Sequence, residues 1–204
     1  MEARLLAAAR AATGFLLETE GFALYAAGLR AGRMGPLLEI GSYCGKSAVY
    51  LGAAARATGA LLFSVDHHRG SEEQQPGQEY FDPQLAGPDG RIDSLPHFRQ
   101  TIAESGLEDV VIAVVGDSRA VAAAWRTPLG LVFVDGSHTE AAATADYEGW
   151  APNLLAGGLL VVHDVFEDPA KGGQAPFHVV QRALGSGQFH EVSATASLRV
   201  LEKA

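Results

Sequence analysis

Short apolar runs alternate with helical patterns along most of the chain, and that alternation constrains the fold more than any other feature. The runs are Pro36–Ile40, Ala60–Val65, Val110–Val115, Leu129–Val134 and Gly158–Val162. They are nearly continuous in Val, Leu and Ile, without a polar face at period 2, as strands are when both faces of a parallel sheet are covered. Helical patterns lie over Ser47–Arg56, Ser94–Glu104, Arg119–Trp125 and His138–Leu154. Such alternation implies an α/β fold with a doubly wound, mostly parallel sheet. The tail departs from it: Phe189–Thr195 and Leu198–Leu201 read as two strands of a hairpin. A parallel sheet closed by a C-terminal antiparallel hairpin is a narrower expectation than "Rossmann-like".

Two segments flank this pattern. Residues 2–30 read as one or two helices, with Phe22, Tyr25, Ala26 and Leu29 on one apolar face and Gly32 and Gly35 ending it. Residues 67–93 are polar, rich in Gly and Pro, and follow the second strand on the side where strand carboxyl ends meet ligands. Such segments are usually lids or binding loops. With 204 residues, and no linker or repeat, the chain is expected to form one domain, 1–204, with N-terminal helices over 1–34 and a lid over 67–93. A homodimer is compatible with a lid ordered by a neighbouring subunit.

The formal net charge of −9 disfavours nucleic acid and anionic membranes as partners. No apolar run is long enough for a membrane span. A single cysteine, Cys44, excludes an internal disulfide and fits a reducing cytoplasm. Met1–Arg10 carries Glu2, Arg4 and Arg10, so no signal peptide is expected.

The first strand runs into Gly41-Ser42-Tyr43-Cys44-Gly45-Lys46-Ser47 and a helix, a turn that brings backbone close to a ligand. Three ligand classes use this geometry. A P-loop needs four residues between its glycines; Gly41 and Gly45 enclose three, although Gly45-Lys46-Ser47 and the strand-end acid of Leu131–Asp135 imitate the rest. A dinucleotide fingerprint needs glycine where Tyr43 stands. The third reading includes Glu39, a carboxylate suited to a cationic amino group. S-adenosylmethionine (SAM) offers an ammonium there, and a carboxylate for the helix N-terminus.

The stretch LLEIGSYCGKSAVYL resembles motif I of class I O-methyltransferases, of the caffeoyl-CoA and catechol type and the related macrocin type, and the resemblance extends from about Gly35 to Val165. It implies the class I methyltransferase fold and a SAM site drawn from Glu39, Gly41, Ser42, Tyr43, Gly45 and Ser47. Asp66 and His67 at the end of the second strand would face the ribose, and Asp117 and Ser118 after the third would bracket the adenine. Asp117 also suits the cap of the helix that follows. Asp135, closing the fourth strand, would stand beside the reactive methyl.

Methyl transfer to a hydroxyl needs nucleophile and methyl in line, and a base. His138, three residues beyond Asp135, suits the base, with His67 and His68 as substitutes. The Ser137-His138-Thr139-Glu140 sequence reads as a capping box that starts the next helix. The metal-dependent members of the resembled group take ligands from the fourth-strand acid and an adjacent pair after the fifth. That implies Mg²⁺ or Mn²⁺ at Asp135, His163 and Asp164, although this chain has His163-Asp164 where those enzymes carry an acidic or amide pair, and His favours softer metals. The expected function is therefore methyl transfer from SAM to a hydroxyl of a small-molecule acceptor. The alternatives are a SAM-binding protein without catalysis, or a nucleotide-binding enzyme.

Overall fold

The computed structural model describes residues 1–78 and 80–204. Among the described residues seven strands form one sheet: β1 Leu37–Ile40, β2 Leu62–Asp66, β3 Val111–Val115, β4 Leu129–Val134, β5 Leu154–Val162, β6 Phe189–Thr195 and β7 Leu198–Lys203. Their order is β3-β2-β1-β4-β5-β7-β6. The first five are parallel, and β7 runs antiparallel to both β5 and β6, as the alternation and the terminal hairpin imply.

Helices of the described residues cover the two faces: α1 Ala3–Ala11, α2 Glu18–Ala31, α3 Lys46–Thr58, α4 Leu95–Ser105, α5 Ser118–Ala124, α6 Glu140–Trp150 and α7 Ala175–Gly185. Side chains alternate through the sheet. Leu131 and Phe133 pack with Leu5, Leu24, Val49 and Phe98 of α1 to α4, whereas Val132 and Val134 pack with Tyr147, Trp150 and Val179 of α6 and α7. α3 is buried along Ser47–Ala55. α2 packs on it so closely that a Cβ on Gly28 would meet the Ala54 Cβ at 2.7 Å and one on Gly21 the Tyr50 ring at 2.3 Å. Among the described residues no helix is long and apolar enough to cross a membrane.

Several boundaries differ from expectation. β5 starts at Leu154, before Gly157 and Gly158, so the preceding helix stops earlier, at Trp150, followed by a 3₁₀ turn over Ala151–Asn153 that contains Pro152. α6 starts at Glu140, with Thr139 rather than Ser137 as its cap; the Thr139 hydroxyl accepts from the Ala142 N–H at 3.3 Å. The Ser137 hydroxyl instead donates to Glu72 of the segment after β2 at 2.9 Å, so the expected capping box does not form. α7, over Ala175–Gly185, is not among the helices that the sequence pattern implies.

The segment after β2 has more structure than its composition suggests. It holds 3₁₀ turns at Glu72–Gln74 and Pro83–Leu85 and an antiparallel bridge between Ala86 and Ile92. Leu85 and Ile92 pack with Cys44 in a small core of their own.

Candidate active site

The sheet changes direction of winding between β1 and β4, and doubly wound sheets bind ligands outside the carboxyl ends of the strands at such a point. A cavity of about 810 Å³ lies there, within the range of small-molecule sites. Gly41, Ser42, Tyr43, Ser47, Asp66, His67, Asp117, Ser118, Asp135, His138 and Asp164 all line it. Glu39, Gly45 and His163 do not.

The loop after β1 owes its course to three positive φ values, Gly41 at 83°, Tyr43 at 47° and Gly45 at 91°. Gly41 is required twice over, because a Cβ there would lie 2.1 Å from the Asp135 carbonyl oxygen. The Ser42 and Tyr43 N–H groups each donate to Asp66 Oδ2 at 2.9 Å, and the His68 N–H donates to Oδ1 at 2.7 Å. Asp66 therefore anchors the loop while lining the cavity. Asp117 caps α5, its Oδ1 accepting from the Ala120 N–H at 3.1 Å, and it too faces the cavity.

Glu39 lies deeper than the polar residues that line the cavity. It is fully buried and points toward α3, beneath the loop, not into the cavity. The Ser64 hydroxyl donates to its Oε1 at 2.6 Å, while Oε2 has no partner. Burial pushes its carboxyl up to about 7. That position makes it a support of the loop.

At the ends of β4 and β5 the side chains form a continuous charged chain. His138 Nε2 lies 3.2 Å from Asp164 Oδ2, and its Nδ1 lies 3.1 Å from Glu73 Oε2 in the segment after β2. Hydrogen bonding to Asp164, opposed by burial and reinforced by the charges of Asp164 and Glu73, raises the imidazole to about 9. Asp164 adopts a φ of 54°, rare for a non-glycine residue, and so reaches both His138 and His163. His163 Nδ1 lies 2.9 Å from Asp135 Oδ1, and its Nε2 lies 3.0 Å from Glu20 Oε2 on α2. Burial alone would lower the His163 pKa; Asp135, Asp164 and Glu20 outweigh it and raise it. Burial also pushes Asp135 upward, against the pull of the neighbouring imidazole, which three carboxylates surround.

Asp135, His163 and Asp164 thus come together, with one candidate ligand atom each within 4.8 Å of the others. As a divalent-metal site the donor set does not fit. Both ring nitrogens of His163 face carboxylates, which when ionised only accept, so that neither nitrogen then has a lone pair to offer.

The sequence also contains participants that local pattern could not find. Glu20 and Glu73 meet their histidine partners across 143 and 65 residues. Asp146 on α6 lines the cavity beside Ser118 although nearly buried, and burial raises it to about 6. Phe15, between α1 and α2, stacks on Tyr43 at 5.9 Å between ring centroids and meets Tyr80 of the segment after β2 edge-on at 5.8 Å.

A family model described as a methyltransferase domain matches residues 38–165, well over half of the chain. The chain belongs to that family. Solved structures agree on the fold. The SAH-bound methyltransferase PaMTH1 of Podospora anserina superposes with a TM-score of 0.69 at 14% identity, over 100% of this chain and 89% of its own. TomG of Streptomyces achromogenes, an O-methyltransferase of tomaymycin synthesis solved with SAM, gives 0.65 at 16% over 100% and 91%. The O-methyltransferase NovP gives 0.67 at 16% over 89% and 79%. This methyltransferase is thus of class I and SAM-dependent, with the cavity of its fold class at the switch point of the sheet.

Proposed function

We propose that this methyltransferase moves the methyl group of SAM to a hydroxyl of a small-molecule acceptor, with His138 as general base. The observation that carries the reading is the position of His138: on the cavity wall, one turn beyond Asp135, between a fixed carboxylate and one on the lid. In this reading Gly41, Ser42, Tyr43, Asp66, Asp117 and Ser118 hold the cofactor, and the acceptor lies between the lid and Phe15. Its hydroxyl takes the place of Glu73 at Nδ1. Losing that carboxylate lowers the imidazole pKa and frees a nitrogen to accept the proton, while Asp164 keeps the ring oriented at Nε2. Deprotonation falls to His138, and no step calls for Mg²⁺ or Mn²⁺.

The aromatic wall of Phe15, Tyr43 and Tyr80 supports an acceptor with a flat apolar face. The test is S-adenosylhomocysteine (SAH) release across a panel of phenols, sugars and hydroxylated acids. Turnover with a hydroxyl compound, lost when that hydroxyl is blocked, supports the reading. SAH binding with no turnover on any acceptor would favour a SAM-binding protein without catalysis.

A further inference from the structure

His163 and Glu20 are 4% and 1% exposed, deeper than any other charged pair of the site. Carboxylates stand 2.9 Å from Nδ1 and 3.0 Å from Nε2 of His163, and a third, Asp164, stands 3.5 Å from Nδ1. With ionised carboxylates on both sides the ring donates from both nitrogens, which is the imidazolium form. Glu20 is itself fully engaged: the Ser197 N–H and hydroxyl donate to Oε1 at 2.8 and 2.7 Å, and the Leu17 N–H donates to Oε2 at 3.1 Å. Nothing in this arrangement lets the ring turn away from Asp135. A divalent ion between Asp135 and Asp164 would also sit a few ångströms from a fixed positive charge, in surroundings where such repulsion is poorly screened.

We propose that His163, clamped by Glu20, supplies the positive charge between Asp135 and Asp164 that a divalent cation supplies in the metal-dependent enzymes the sequence resembles, so that this methyltransferase works without a metal. Glu20 is then a positioning residue: it acts on the site through His163 and touches neither cofactor nor acceptor. The activity part of this inference rests on the hydroxyl reading above; the binding part does not.

The decisive measurement uses the SAH-loaded wild-type protein titrated with Mn²⁺ and followed by the electron paramagnetic resonance of the free ion. We expect no binding at millimolar Mn²⁺. Stoichiometric binding that disappears in Asp164→Ala would overturn the proposal. Nitrogen-15 spectra of labelled histidine give a second readout, in which both His163 ring nitrogens should carry protons at neutral pH; an unprotonated Nδ1 would overturn it as well. The Glu20→Gln, His163→Asp double variant replaces the organic cation with a carboxylate, and where it still binds SAH it should acquire Mn²⁺ affinity that the wild type lacks. Once an acceptor is found, wild-type turnover should be unchanged by EDTA, and a loss restored by Mg²⁺ would count against the inference. Glu20→Gln alone should lower kcat several-fold with SAH affinity unchanged and alter the His163 nitrogen signals; unaltered signals would leave Glu20 without the positioning role. Failure to find any acceptor would sink the hydroxyl reading and leave the metal titration and the nitrogen spectra standing.

Discussion

Glu39 pairs in register with Ser64 and Phe133 at the centre of the sheet, an expensive place for a carboxylate. Its pKa rises from an ordinary 4.5 to about 7 because burial disfavours the charged form. The folded state therefore binds the proton more tightly than the unfolded chain does. The stability tied to that proton is complete below 4.5 and is lost as pH rises to about 7. Glu39→Gln keeps the shape and removes the titration. It should be more stable than wild type at pH 8 relative to pH 4.5, by on the order of 1–3 kcal/mol, in denaturant melts at the two pH values. Parallel pH profiles for the two proteins would mean that Glu39 is charged in the folded state. His138 gives the kinetic counterpart. Its pKa of about 9 puts the rising limb of kcat/KM above neutrality, since only the neutral ring accepts a proton. The limb in kcat should lie lower, because the bound acceptor displaces Glu73. Glu73→Gln should bring the two limbs together, and His138→Ala should lower kcat by roughly 10²–10⁴-fold while sparing SAM affinity. A wild-type rate in His138→Ala would move the base to His67.

At the scale of elements, the segment after β2 divides into two parts. Its second half is anchored by Leu85 and Ile92 against Cys44. The first half lies over the cavity and is latched by Glu72 to Ser137 and by Glu73 to His138. Only the first half then has the attachments of a movable cover. Arg69 is exposed just before the latch, and Arg91 is exposed within the anchored half. The double variant Glu72→Ala, Glu73→Ala should be cut by trypsin at Arg69 several-fold faster than wild type, with cleavage at Arg91 unchanged. Acceptor with SAH should slow the Arg69 cut in wild type. Equal acceleration at both arginines would make the segment one unit. The apolar wall is tested separately: Phe15→Ala removes a stacking surface, and a loss of about 0.5–1.5 kcal/mol corresponds to a rise in acceptor KM of roughly 2- to 12-fold. An unchanged KM would place the acceptor elsewhere.

Across the whole molecule, what the sequence makes legible is whatever repeats locally. Parallel strands announce themselves as apolar runs, and Asp66, Asp117, Asp135 and Asp164 are recognisable because they stand where such runs stop. The side that Glu39 takes is not legible for the same reason: in a strand buried on both faces, no alternation tells which side a residue takes. Contacts such as Glu20 with His163 leave no local trace, since α2, the β5 end and the β6–β7 turn meet only in the fold. Gly41 shows how tightly these parts depend on one another. Its backbone lies against Asp135, so Gly41→Val forces the β1 loop and the β4 end apart, and the φ of 83° adds strain. The substitution should therefore do more than block the cofactor. Wild-type protein at about 100 times the SAH dissociation constant gains roughly 2.7 kcal/mol. For a chain of this size that is a rise in Tm of about 5–10 °C. ATP should give no rise, as expected of a loop one residue short of a P-loop. Gly41→Val should lose the SAH response and also melt below unliganded wild type, because its Cβ displaces the Asp135 carbonyl whether or not ligand is present. A variant that melts like unliganded wild type, yet fails to respond to SAH, would show that Gly41 serves the cofactor alone and that the Asp135 contact relaxes without consequence.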